Sequence, residues 1–337
     1  MPENDVALMG HLMRRAGFGC QYHELEARAA KGYEETVEEL LNPSEDTHGM
    51  DLDLAERSFI EWNHHIRCVP EYIAFRMVNS KSQLEEKMIL FWHGILCHTD
   101  SKNQSQIASH AEWEMLRRCG LDSFKDLLIE ISKDPAMVYF LDNCLSHKDA
   151  INENYGRELL ELFSLGVGMD GEFNYTEDDV KECARAFTGW TLANGIPPQP
   201  YGRYTSTFVY NPEDHDDGEK TFLGHTGNFN GEDIIDILCK QPATARFISR
   251  HIYDFFVADE AQVPTWMETP PRDPETIKML EDEYFRSDYN IRSMLRVLFN
   301  SDAFKNARFA RIKGPIETVI GTLRLAGDWT TPKPGFE

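Results

Sequence analysis

Paired cysteines, long apolar runs and basic charge are all in short supply in this chain of 337 residues, and each shortage excludes a class of protein. The seven cysteines (20, 68, 97, 119, 144, 183 and 239) are odd in number and include no C-x-x-C pair. That speaks against a disulfide framework or a structural zinc knuckle, and for a reducing compartment. No window reaches the roughly 18 apolar residues of a membrane span. The N-terminal MPENDVALMGHLMRRAGFG has no apolar run of signal-peptide length, so no membrane insertion and a cytoplasmic location are expected. Only 34 basic residues stand against 57 acidic ones, a net charge of −23. Spread over the surface, that charge repels nucleic-acid phosphates and anionic lipid, and tolerates neutral or cationic ligands.

Alternating β-type patterning is also scarce. Capped amphipathic periodicity instead recurs near 6–15, 22–31, 34–41, 52–66, 70–79, 82–97, 103–118, 123–132, 135–142, 152–164, 176–188, 232–240, 243–258, 274–286, 289–299 and 315–326. Thr176 and Asp179 have capping-box spacing, and Pro135, Pro242 and Pro315 sit where first-turn prolines belong. Strand character is confined to 204–224, where YTSTFVY and KTFLG flank the polar turn NPEDHDDGE. The pattern predicts an all-α, mainly helical array with one small β-hairpin. It is expected to be a single large domain over 1–337, open to division into lobes at 1–150 and 151–337. The closing TTPKPGFE has loop composition, which suggests a chain stopping short of its natural end.

Candidate chemistry concentrates in three places. On the 152–164 helix, Asn154, Glu158 and Glu161 fall within about 60° of one another, a pair of carboxylates suited to acid–base work or hard-metal ligation. The same polar arc holds Glu153, Arg157 and Ser164 opposite an apolar face, as on any amphipathic helix. The 82–97 helix is apolar nearly all round and should be buried, with His93 requiring a partner, Glu86 for example, or a metal. If that helix continues, His98 lies about 140° round from His93, so the two cannot share a metal without a break. The turn His215–Lys220 packs a base, three carboxylates and an ammonium into six residues, as a functional loop or as a polar hairpin tip. The glycines of LGVGMDGEF match neither a dinucleotide fingerprint nor a P-loop, so no nucleotide cofactor is expected. There is no G-x-S-x-G.

RRAGFG (Arg14–Gly19), FWH (Phe91–His93), DPAM (Asp134–Met137), NENYGRELLELFSLGVG (Asn152–Gly168), YTEDDV (Tyr175–Val180), AFTGW (Ala186–Trp190), HDDGEKTFLG (His215–Gly224) and PATARFISR (Pro242–Arg250) occur in this order. Together they resemble the bacterial family called domain of unknown function 1800, over nearly the whole chain. The resemblance implies a mostly helical protein of uncharacterised activity. It also implies a surface or glycan role, since members often carry secretion signals and lie beside sulfatase-like proteins, so a secreted or periplasmic location is allowed. Members often read FWHxH, whereas Ile95 replaces the second histidine here, and a further Pro-Asn-Val-x-Gly-Trp-like segment is absent.

Three functions are therefore carried forward. The first is a hydrolase of glycosidic or ester bonds. In it Glu158, Glu161, His215 and Asp216 are the acid–base groups, Asn154, Arg157, Arg185 and Lys220 bind substrate, and Trp190 is a stacking platform. The second is a non-catalytic helical binding module for a surface or secreted protein, its polar motifs forming a buried network. The third is a metal-dependent oxidoreductase holding a divalent metal, with His93 and His98 as candidate ligands. The first predicts that the 152–164 helix, Arg185–Trp190 and the 215–220 turn meet in one pocket.

Overall fold

The computed structural model describes residues 3–43, 50–61, 68–103, 105–169, 171–193, 206–327 and 329. The ends of two predicted elements, 62–66 and 204–205, most of the proline-rich loop 193–201 and the closing TTPKPGFE lie outside the described residues. Of the chain, 64% is helical, in 18 described α-helices, so packed helices and not a sheet carry the fold. Every predicted segment is helical, with shifted ends. Asp100–Asn103 and Asp302–Asn306 are short additional helices.

Local chemistry explains where helices begin. Ser105 caps Gln106–Cys119, Ser123 caps Phe124–Lys133, and Asp134 caps Pro135–Phe140 through the amides of Ala136 and Met137. Both halves of the Thr176–Asp179 capping box form on Glu177–Ala186, Asp serving in place of Glu or Gln. Pro135, Pro242 and Pro315 each occupy a first turn, where a missing N–H goes unnoticed.

Three expectations need correction. The buried helix expected over 82–97 stops at His93, because the Trp92 carbonyl takes the amides of both Ile95 and Leu96 and turns the chain away after Gly94. Cys97 is consequently exposed. The 152–164 helix is regular over Asn154–Glu158 and then π-wound over Leu159–Ser164, so the regular angular spacing assumed for Glu161 does not hold. The predicted hairpin within 204–224 does not pair its two halves. Phe208–Tyr210 instead pairs with Trp190–Leu192, and Lys220–Phe222 turns back on His225–Gly227. Leu223 and Gly224, at φ 45° and 79°, make the two-residue turn whose twist matches the strands, which outcompetes a long polar loop. Gly168–Met169 and Glu172–Phe173 form a third small antiparallel pair.

One apolar cluster draws on residues from Met9 to Phe304 and includes Trp92, Phe124, Leu160, Phe187, Ile248 and Leu295. A smaller one gathers Phe18, Phe59, Tyr72, Ile73, Met77 and Ile320. The second brings the Cys68–Asn79 helix against the Pro315–Ala326 helix, and between them opens an apolar chamber. No described helix is long and apolar enough to cross a membrane.

Candidate functional site

The chamber is built by the break after His93. Trp92 is fully buried, stacked on Phe124 and anchored by its indole N–H on the Gly120 carbonyl at 2.7 Å. With Trp92 held, the turn at Gly94 swings the following loop back onto the Gln106–Cys119 helix, so the ring centroids of His93 and His98 come within 6.3 Å. His98 then meets two side chains that are three residues apart on that helix and share its face. Its Nδ1 lies 2.7 Å from Glu112 Oε2, and its Nε2 lies 2.9 Å from Ser109 Oγ. A carboxylate only accepts, so Nδ1 carries the proton and Nε2 is left to accept the Ser109 hydroxyl. Serine, imidazole and carboxylate stand in relay order.

The carboxylate end is deeply enclosed. Glu112 is 0% exposed and Asp134 6%. Their carboxyl groups share a hydrogen bond, which requires one proton between them. Burial, then the charge of Glu112, push Asp134 well above the usual carboxylate range, despite its two helix-capping amides. Burial also raises Glu112, while the donors His98 and Asp134 pull the other way. Asp134 therefore holds the proton and donates it, and Glu112 keeps the negative charge beside His98. Asn103, 1% exposed, ties this floor to the Asp134 helix through the Ala136 carbonyl at 3.1 Å.

Above the relay lies a cavity of about 520 Å³ walled by Val69, Ile73, Met77, Leu90, Trp113 and Ile320, with His93, His98, Ser109 and Gln106 as polar entries. His93 lies tilted against Trp113, ring centroids 4.2 Å apart, and burial, followed by the neighbouring His98, pushes its imidazole down to about 4. Its Nδ1 has no hydrogen-bond partner among the described residues and stands 4.0 Å from Glu112 Oε1, itself without an N–H or hydroxyl donor. Glu86, offered as its partner, instead binds the guanidinium groups of Arg76 and Arg117 at 3.1 Å each. Among the described residues no three His, Cys, Asp or Glu side chains are arranged to hold a metal ion.

The other sequence-predicted residues fall into two groups. Arg185, His215, Asp216 and Lys220 do come together. Arg185 holds Asp216 through two bonds of 2.7 and 3.2 Å and Glu182 at 2.8 Å. Lys220, 1% exposed, donates to the Asp216 and Gly218 carbonyls, and His215 Nδ1 donates to the Thr188 carbonyl at 2.9 Å. Trp190 lies close in sequence, 3% exposed, its indole N–H on Asn230 Oδ1 at 2.8 Å. These bonds close the group on itself. The 152–164 residues form a separate set. Arg157 is bidentate on Glu177 (2.9 and 2.7 Å), Tyr175 donates to Glu161 at 3.3 Å, and Asn154 binds the Leu141 carbonyl at 3.1 Å. Glu158 is half-buried and raised by burial and by Glu161, and it makes no bond to His215, Asp216 or Lys220. The Asn154–Glu158 helix nevertheless packs on the Glu177–Ala186 helix that carries Arg185, with Tyr155 against Phe187, while no described hydrogen bond links Glu158 or Glu161 to the 215–220 turn.

Sequence reasoning missed Ser109 and Glu112. The signal was a polar pair at i,i+3 facing inward on an otherwise buried helix, and it needed the loop carrying His98 to become legible.

A mainly helical scaffold thus brings Ser109, His98 and Glu112 together beside an apolar chamber. The chain matches the family described as "Protein of unknown function (DUF1800)" over residues 11–335, and it belongs to that family. No curated protein and no solved structure matches it.

Proposed function

We propose that this protein is a serine-dependent hydrolase of esters with an apolar acyl or alkyl group. The observation that carries the reading is the Ser109–His98–Glu112 relay, at 2.9 and 2.7 Å, on the wall of the 520 Å³ chamber. Ser109 Oγ attacks the ester carbonyl while His98 Nε2 accepts its proton. Glu112 steadies the imidazolium through Nδ1–H, and His98 then protonates the leaving alkoxide. Water resolves the acyl-enzyme by the same path in reverse. The Ala108 amide of the Gln106–Cys119 helix is held by its Ser105 cap, which leaves the first-turn amides of Gln106 and Ile107 as donors for the oxyanion. The apolar walls favour an ester over a glycan, because sugar hydroxyls would lose their hydrogen bonds there.

The test is covalent labelling with a fluorophosphonate, alongside hydrolysis of p-nitrophenyl esters of rising acyl length. A mass increment on the peptide bearing Ser109, absent in Ser109→Ala, supports the reading. Absence of both label and ester turnover would sink it. A binding-module reading draws on the closed Arg185–Asp216–Lys220 group, which supports a structural role for those motifs.

A further inference from the structure

The chamber beside Ser109 is polar at one end and apolar at the other. Three of the helices around it run side by side in the same direction. Cys68 Sγ lies 3.5 Å from Gln106 Oε1, where the Cys68–Asn79 and Gln106–Cys119 helices begin. Further along both, Arg76 Nη1 lies 3.5 Å from Glu114 Oε1. The Pro315–Ala326 helix keeps the same sense. Its first residues, Pro315 and Ile316, wall the chamber with Pro70, and near its end Arg324 donates to the carbonyls of Met77, Val78 and Ser80. The end where the helices start is open: Pro70 is exposed there, as are Ile316 and Val319, at 48% and 57%. Asp100, Gln106 and His98 make the same end polar, next to Ser109. The other end is blind among the described residues. Val69, Ile73 and Met77, all buried, form a stripe at four-residue spacing that runs inward for about 12 Å. Trp113 stands one turn, about 6 Å, beyond Ser109 on the same face of its helix. Apart from the His93 ring against Trp113, this inner wall is apolar, and past Met77 the Arg324 bonds draw the two helices together.

We infer that the chamber holds the acyl side of the ester, tail inward, and selects straight chains of medium length. The inference rests on the hydrolase reading and adds which half of the substrate is recognised. Acyl transfer to Ser109 Oγ releases the alcohol, which carries off the serine proton by way of His98; water then restores the hydroxyl and frees the acid. The acyl group must therefore stay in place while the alcohol leaves and water enters. Only the polar mouth allows that exchange, and an alcohol lodged in the blind end would be trapped behind the acyl group. The groove between two parallel helices confines a chain to one direction, and each methylene buried there favours binding by about four-fold. Ala74, half-buried on this wall, leaves the groove its width, and Met77 marks its floor.

Kinetics on p-nitrophenyl acetate, octanoate and palmitate test the assignment, with calorimetric titration of the full chain by methyl octyl ketone and by butanone, which present a carbonyl but cannot be hydrolysed. From acetate to octanoate kcat/KM is expected to rise at least about 100-fold, and to fall again at palmitate. Ala74→Phe fills the groove and should lower the octanoate-to-acetate ratio by about ten-fold or more. Met77→Ala deepens it and should raise the palmitate-to-octanoate ratio. Each ratio is taken within one preparation, so a partly unfolded variant still reads correctly. The longer ketone should bind at least about ten-fold more tightly than butanone, a difference that Ala74→Phe removes. Ester turnover with no chain-length preference, or variants that move neither ratio, overturns the inference and leaves the hydrolase reading standing. Chain-dependent ketone binding without any ester turnover sinks the hydrolase reading and keeps the chamber as a site for a straight apolar chain. Equal affinity for the two ketones overturns that as well.

Discussion

Ser109, His98 and Glu112 are joined by two hydrogen bonds in a tightly packed interior, and removing each residue should separate chemistry from stability. Ser109→Ala deletes one hydroxyl and is expected to lower kcat by at least about 10³-fold, with Tm within a few degrees. Steady-state kinetics and a thermal melt on the same preparation check it. The Arg185–Asp216 pair should behave in the opposite way, because it joins the Glu177–Ala186 helix to the 215–220 turn outside the chamber. Asp216→Ala is expected to cost about 1–3 kcal/mol of stability while ester turnover per folded molecule stays unchanged. Urea melts paired with active-site titration decide it. A turnover collapse without a stability loss would return the catalytic role to the 215–220 turn.

The buried histidines set a pH dependence at the same scale. His11, His93 and His251 are each pushed down to about 4, in every case chiefly by burial. An unfolded histidine takes a proton below about 6.5, whereas these folded ones refuse it until about 4. Unfolding therefore takes up protons in that window, and the stability present above 6.5 is lost as pH falls toward 4. A series of chemical melts from pH 7 to 4 should slope downward, and His251→Gln should reduce the slope by about one proton. An unchanged slope would show that His251 is not held neutral.

At the scale of elements, Asp134 joins two jobs in one carboxyl group. It caps Pro135–Phe140 through Ala136 and Met137, at 2.9 and 3.2 Å, and keeps its own proton, donated as a hydrogen bond to Glu112. Asp134→Asn keeps a capping oxygen and an N–H donor, so stability and turnover should both largely survive. Asp134→Ala removes both and leaves a buried carboxylate less satisfied, for a loss of about 2–4 kcal/mol and a slower enzyme. Thermal melts and kinetics of the two variants, read together, test the shared-proton arrangement. The break at Gly94 is the other element-level device, since an unbroken 82–97 helix would have turned His98 away from the Gln106–Cys119 helix.

At the scale of the whole molecule, the Pro315–Ala326 helix closes one wall of the chamber from the far end of the chain. Glu317 fastens it to the N-terminal helices, paired with the fully buried Lys87 and with Arg15. Burial pushes the Lys87 ammonium down to about 8, and Glu317 opposes that. Glu317→Ala strands both cations and is expected to cost about 3–5 kcal/mol. The Lys87→Met, Glu317→Leu double variant should recover most of that loss. Denaturant midpoints check both, and equal losses in single and double variants would refute the fastening role.

What was legible in the sequence is what local physics decides. Apolar periodicity, capping residues and first-turn prolines located the helices, and unpaired cysteines with scarce alternation excluded other classes, because each depends on neighbours a few residues apart. The clustering of Arg185 with Asp216 and Lys220 was likewise within reach, and His93 and His98 were named, although as metal candidates. Tertiary structure alone decided the rest. Strand partners followed from a Leu-Gly turn competing with a longer loop, and the relay from a helix that ended where its pattern did not. Glu112 became exceptional only when Asp134 arrived beside it from another helix. A carboxylate's proton and a serine's reactivity are set by burial and by groups within about 3 Å, and which groups those are is a property of packing, not of spacing along the chain.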